Sequence, residues 1–362
     1  MHKSSATKLA LILFSLVASV SAFAQGITVP RPSPAATVTQ TVGISTVSIN
    51  YSRPFVNGRE IWGKLVPYGW NKQGFGLGND APWRAGANEN TVIKFSDDVV
   101  VQGQKVPAGA YGLTFVINKD NTGEVVLSKD SRSWGSFFYD PKLDQMRASI
   151  QVRDMPASTE MLTYDFISTT KNSAELVLNW EKKQFPVKIE YPTDELVVAN
   201  AGEELKSVTG FNWQGYASAA NYTLQNKLHL DQGLVWIDKA IAQNKSFGTL
   251  NIKAGILRQQ GNTADADKIM NDALPLASEV ELNAYGYQLV AQGQMDKAIE
   301  IFVLNTQRHP ESANTWDSLG EAYVTKGDKT NAITNFKKSL SLNPQPAVKA
   351  NSEKFLKQLG AM

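Results

Sequence analysis

The sequence predicts an α+β chain of two domains, an N-terminal antiparallel β-sandwich followed by an α-solenoid of stacked helical hairpins. Two observations carry this. Between Thr37 and Tyr191, short runs of alternating apolar and polar residues are punctuated by Gly, Pro, Asn and Asp, the pattern of half-buried strands. Toward the C-terminus, Gly286 and Gly320, and likewise Phe302 and Phe336, stand 34 positions apart, and a fixed period of that length marks a helical repeat array.

A separate segment comes first. His2, Lys3 and Lys8 precede or open the apolar run Leu9 to Val20, and Ala22-Phe23-Ala24 closes it. This is the three-part pattern of a secretory signal peptide, residues 1–24. The run is about 12 residues long, short of the roughly 20 that a spanning helix needs. The expectation is therefore cleavage near Gln25, no membrane anchor afterwards, and an exported protein, periplasmic or extracellular. Loss of Lys3 and Lys8 would take the formal charge from +2 to zero, since residues 1–24 hold no acid. A neutral chain lacks the basic footprint of a nucleic-acid binder. There is no cysteine, so no lipid attachment site and no disulfide is available in an oxidising compartment.

The β-rich half, residues 25–192, contains neither Cys nor His. That excludes a zinc site of the usual ligands and any Ser-His-Asp or Cys-His nucleophile system within it; no metal or cofactor is expected. Pro30-Arg31-Pro32-Ser33-Pro34 is too poor in N–H donors for a strand interior. Strands are expected at Thr37–Val42, Ile44–Tyr51, Thr91–Phe95, Val99–Val101, Tyr111–Ile117, Val125–Leu127, Ala148–Val152, Met161–Ile167, Leu176–Trp180 and Val187–Tyr191, enough short strands for a sandwich or open barrel. Asn118, Asp120, Thr122 and Gly123 imitate a calcium loop, but Lys129 stands where the bidentate Glu belongs, so a plain hairpin turn is expected.

A connecting helix is expected over residues 193–211, repeats over 212–346, and a capping helix over 347–362. Trp316-x2-Leu319-Gly320-x2-Tyr323, Ala332-x3-Phe336 and Pro344 match the tetratricopeptide pattern. The preceding period places Leu282, Gly286, Leu289, Ala298, Phe302 and Pro310 in the corresponding positions, so the best units are 279–312 and 313–346. Small residues suit close helix crossings, the bulky ones are expected to fill the space between hairpins, and the prolines end each second helix. Leu250, Ala254, Leu257, Gly261, Ala266, Met270 and Ala273 fit a weaker unit, and Ala217, Ala220, Leu224, Ile237 and Ala240 a more degenerate one. About four hairpins are therefore expected. Such an array suggests a protein partner on its groove, with Tyr285, Tyr287 and Asn314 as candidate lining; His229 and His309 fall near helix ends.

Pro30 to Pro34, Asn50-Tyr51-Ser52-Arg53-Pro54, Gly58-Arg59, Ile61-Trp62-Gly63, Leu65-Val66-Pro67-Tyr68-Gly69 and Trp83-Arg84-Ala85-Gly86-Ala87-Asn88-Glu89 together resemble domain-of-unknown-function family 2911 over about residues 28–170. The resemblance implies no activity. Against its pattern, Trp70 to Pro82, with its Gly74 to Gly78 run, reads as an inserted loop able to reshape a nearby site.

The densest polar-aromatic cluster is Tyr51, Arg53, Arg59, Trp83, Arg84, Asn88 and Glu89. Guanidinium forks beside an aromatic platform suit a carboxylate, phosphate or glycan; the alternative is an Arg–Glu network that fixes loops. Two functions follow. One is an exported binding protein, its repeats recruiting a protein and its β domain holding a small molecule, glycan or surface. The other is a carboxylate-dependent hydrolase of carbohydrates, with Glu89 as its acid or base and a second acid across a cleft.

Overall fold

The computed structural model describes residues 29–362; the expected signal peptide lies outside the described residues. The chain divides into two compact units between Thr193 and Asp194.

The first unit contains strands β1 (Ala35–Val42), β2 (Ser45–Ser52), β3 (Asn71–Lys72), β4 (Asp80–Ala81), β5 (Val92–Phe95), β6 (Val99–Val101), β7 (Gln104–Val106), β8 (Gly109–Ile117), β9 (Thr122–Ser128), β10 (Asp144–Gln151), β11 (Arg153–Ile167) and β12 (Ser173–Glu190). One sheet runs β1-β2-β5-β8-β9-β10, a second β11-β12-β6-β7, and β3 pairs only with β4. Every pairing between these strands is antiparallel. Alternation dictates the buried face: Val47, Ile49 and Tyr51 of β2 point inward, and register sets Ile49 opposite Ile93 and Ile93 opposite Tyr111. The two sheets touch through aromatic side chains. Tyr51 meets Tyr164 edge-on at 4.7 Å and Phe115 meets Phe185 at 5.3 Å. Burying each such ring is worth about 1.5–3 kcal/mol.

Several details depart from the sequence reading: β7 was not expected, β11 begins at Arg153 and not Met161, and the helix expected over 193–211 ends at Glu204. Leu176–Trp180 and Val187–Tyr191 are not separate strands; Ser173–Glu190 is continuous, carrying the polar stretch Glu181 to Gln184 through its middle. Tertiary pairing makes that stretch tolerable. Lys183 reaches Asp154 of β11 at 2.5 Å, and Gln184 receives a hydrogen bond from Arg153. The segment read as an inserted loop contains the two-residue hairpin β3–β4.

Ten α-helices make up the second unit among the described residues: α1 (Thr193–Glu204), α2 (Trp213–Asn226), α3 (Leu230–Gln243), α4 (Phe247–Gln259), α5 (Thr263–Ala273), α6 (Glu279–Ala291), α7 (Met295–Arg308), α8 (Ala313–Lys326), α9 (Lys329–Ser341) and α10 (Pro346–Gln358). From α2 to α9 they pair as four tetratricopeptide-type hairpins. Gly261, Gly293 and Gly327 turn each of the last three with φ of +85°, +74° and +84°, a conformation open to glycine at little cost. Ser246 with Thr249, and Ser278 with Glu281, form capping boxes at the starts of α4 and α6.

Packing explains the recurring residue types and amends one expectation. A Cβ on Gly286 would lie 2.6 Å from the Phe302 ring, and one on Gly320 2.8 Å from Phe336. The two rings therefore fill the gap within their own hairpins, in addition to the space toward a neighbour, where Phe336 stacks on Phe355 of α10. Leu282, Leu289, Ala298, Leu319 and Ala332 are buried, as are Leu250, Ala254, Ala266 and Met270 of the weaker unit. Tyr323 packs against two successive core clusters. Trp316 is only half-buried, its indole N–H donating to the Pro310 carbonyl at 2.9 Å. Pro310 and Pro344 follow the ends of α7 and α9.

Candidate functional site

The seven clustered residues do not converge on one point; most of their polar atoms are consumed by the fold. Tyr51 is core, and its hydroxyl accepts the Tyr164 N–H at 3.1 Å. Arg53 ties β2 to β11 by donating to the Leu162 carbonyl at 2.9 Å and the Thr163 hydroxyl at 2.5 Å. Arg59 folds back on its own loop, donating to the carbonyls of Val56 and Phe55. Asn88, in the left-handed region at φ +58°, and Glu89 hold the proline-rich lead-in: Asn88 donates to the Ser33 carbonyl, and Glu89 pairs with Arg31 at 2.5 Å.

Glu89 is therefore poorly suited to acid catalysis. Its hydrogen bond from Arg31 holds the carboxyl below the usual range, whereas a glycosidase acid needs a raised pKa. It is exposed and lines none of the clefts described below.

Trp83 and Arg84 remain together. Trp83 is fixed by backbone bonds in both directions with Phe115 (2.8 and 2.9 Å), and its ring lies parallel to the buried Trp180 at 5.8 Å with Trp62 edge-on at 5.7 Å. The adjoining Arg84 side chain is half-buried. It donates to the Asn88 carbonyl at 2.7 Å, and its guanidinium lies over the Phe137 ring at 5.1 Å. Gly135 makes this placement possible: at φ +60°, a Cβ there would sit 2.7 Å from the guanidinium carbon. Burial lowers the Arg84 pKa, although the group stays cationic at physiological pH.

Both residues line a cleft of about 340 Å³. Its far wall is the 70–82 segment: Asn71, Lys72 and Gln73 from one arm, Ala81 and Pro82 from the other. That segment is pinned by Phe75 stacking on Phe137 at 4.1 Å and by the Leu77 N–H donating to the Phe137 carbonyl at 3.1 Å. Gly76 permits the contact, since a Cβ there would meet that carbonyl oxygen at 1.9 Å. Ser136 also lines the cleft, buried, its hydroxyl without a hydrogen-bond partner. The residues 134–137 were not singled out from the sequence. Only Gly135, between two aromatic positions in a non-alternating stretch, gave any signal there.

A second unforeseen network sits beside it. Tyr139 donates to Asp144 at 2.7 Å and accepts from Arg147, which pairs with Asp144 and lies over the Trp70 ring at 4.5 Å. Burial, followed by the bond to Asp144, raises the Tyr139 pKa. These groups bond one another through a single oxygen of Asp144, Oδ2, and hold Trp70 at the base of the 70–82 segment.

In the helical unit, polar side chains form contacts one repeat apart. Tyr287 donates to Glu321 at 2.8 Å, and Asn351 bridges Asp317 at 2.8 Å and Glu321 at 2.5 Å. Of the expected groove residues, Tyr287 is exposed, Asn314 half-buried and Tyr285 buried against Phe247. Tyr285 nonetheless borders a cleft of about 320 Å³ shared with Leu289, Met270, Lys297, Glu300 and the Arg258–Asp267 pair. A more apolar cleft of about 340 Å³ opens among Val198, Leu205, Ala219 and Trp236. His229 contacts Glu195, and His309 follows the end of α7.

Comparison with known proteins finds a family match in each half of the chain. Residues 33–189 match the family model described as "Protein of unknown function (DUF2911)", and residues 313–346 match the tetratricopeptide repeat model. Among curated proteins, superkiller complex protein 3 of Homo sapiens is 35% identical over 60 residues, 17% of this chain and 4% of that protein. Cellulose synthase operon protein C of Escherichia coli (strain K12) is 33% identical over 72 residues, 20% of this chain and 6% of that protein. The chain thus spans only a small part of either relative. Among solved structures, Pseudomonas aeruginosa pilF has 23% identity and a TM-score of 0.29, covering 42% of this chain and 71% of that one. YrrB, a TPR protein with an unusual peptide-binding site, has 17% identity and a TM-score of 0.28, covering 44% of this chain and 84% of that one.

Proposed function

We propose that this chain, a DUF2911 module followed by tetratricopeptide repeats, is an exported interaction protein whose helical array recruits a protein partner while the β unit holds a small ligand. The observation that carries the reading is the economy of the array. Its recurring apolar residues are used up in hairpin packing, leaving a partly exposed polar row from Tyr287 to Glu321 and clefts of mixed character between hairpins. Repeats of this kind stack into extended surfaces that bind other chains. The tetratricopeptide match at residues 313–346 supports the same role.

Reversing the charges of two exposed residues at the cleft beside Tyr285, Lys297→Glu with Glu300→Lys, tests it. Affinity capture with the full mature chain from envelope extract is expected to retain a specific protein, which then binds directly when purified and is lost from the charge-reversed variant. Identical retention by both chains, or none by either, removes the recruitment reading. Export is tested separately. The mature N-terminus is expected near Gln25 in the envelope fraction or medium, and an intact Met1 in the cytosol would sink it. Among the described residues, no helix is long and apolar enough to cross a membrane.

A further inference from the structure

We infer that the Trp83–Arg84 cleft binds a small organic anion, its carboxylate or phosphate group meeting Arg84 and its body lying against the apolar wall. This rests on the reading that the β unit holds a ligand, and narrows that ligand to one chemical class.

Charge balance is the first argument. The cleft is lined by two cations, Arg84 and Lys72, and by no acid. Arg31, Arg147 and Arg153 each have a carboxylate partner, and Arg53 and Arg59, which have none, spend their donors on carbonyls and a hydroxyl of the fold. Among the described residues neither Arg84 nor Lys72 has a carboxylate within ion-pair distance. Asp80 lies opposite Lys72 in the β3–β4 ladder, yet the two make no ion pair. A half-buried guanidinium without a counter-charge is costly to the fold, and an anionic ligand would supply the missing charge.

Preorganisation is the second. Gly135 and the Phe137 ring hold the Arg84 fork on two sides, and one hydrogen bond to Asn88 leaves most of its donors unused. A planar fork held this way suits two-point recognition of a carboxylate or phosphate. Finally, Leu65, Pro82 and Trp83 give the cleft an apolar side, and its volume of about 340 Å³ lies within the range of small-molecule sites.

The test titrates the full mature chain with glucuronate, glucose 6-phosphate and neutral glucose, by calorimetry at low and high salt. At least one anion is expected to bind saturably at one site, at least about tenfold more tightly than glucose. Which one binds separates carboxylate from phosphate. Binding is expected to weaken with salt, to fall at least about tenfold in Arg84→Gln and to fall less in Lys72→Gln, a change on the exposed hairpin. Circular dichroism and thermal melts verify folding of both variants. Glucose binding as tightly as the anions, with no loss in Arg84→Gln, overturns the anion inference and leaves the ligand-binding reading standing. No saturable binding of any of the three overturns both, and leaves recruitment by the helical array to its own test.

Discussion

At the scale of single residues, small and charged side chains prove more informative than the aromatics that make the sequence conspicuous. Gly286 and Gly320 are required because a ring from the partner helix occupies the space where a Cβ would be. Gly286→Ala or Gly320→Ala is expected to cost about 1–3 kcal/mol through overpacking, read as a lower melting temperature, whereas Gly202→Ala, with open space around it, is expected to lose nothing. Trp83 faces two demands, since its ring braces Trp180 and also walls the cleft. Trp83→Ala is expected to destabilise the β unit by about 3–5 kcal/mol, measured by denaturant unfolding. The candidate cluster shows what residue types can and cannot reveal. Arginine beside tryptophan signals recognition chemistry, but whether a guanidinium faces a ligand or a backbone carbonyl depends on contacts far along the chain. Arg53 is taken by Leu162 and Thr163, more than a hundred positions away; no local pattern contains that fact.

At the scale of elements, the capping helix α10 is held by a buried acid. Asp317 of α8 accepts from Ser352 and Asn351 of α10. Burial raises its pKa above the ordinary aspartate value, outweighing those bonds. The sign follows from linkage: a carboxyl whose folded pKa is raised stabilises the fold below its unfolded pKa, and that contribution is lost as pH rises through the folded value. Asp317→Asn is therefore expected to melt close to the parent near pH 3 and to gain on it toward about pH 7; a difference independent of pH would refute the assignment. Phe355 of α10 stacks on the fully buried Phe336 at 5.2 Å. Ending the chain after Gln345 is expected to expose that ring and destabilise α8–α9 first, since a solenoid needs a cap with a polar outer face. Hydrogen exchange resolved by segment checks this. The helices were legible because a 34-residue period survives in one dimension. The continuity of β12 was not, because its polar middle reads as a break until Asp154 and Arg153 are placed beside it.

At the scale of the whole molecule, the described residues fall into two compact units, each with buried apolar residues of its own. Residues 194–362 have apolar clusters of their own and are expected to fold in isolation with a helical spectrum and a cooperative melt. A broad, non-cooperative transition would contradict this. What the sequence alone determined is the kind of structure in each half, the repeat and its landmarks, and the exclusion of cysteine and histidine chemistry from the β half. All of these depend on composition and on spacing along the chain. Only the tertiary structure decided that Arg84, without a carboxylate partner, lines a cleft, and that the 70–82 segment walls it. Desolvation and charge pairing act between residues brought together by folding, and a spacing rule carries no information about them.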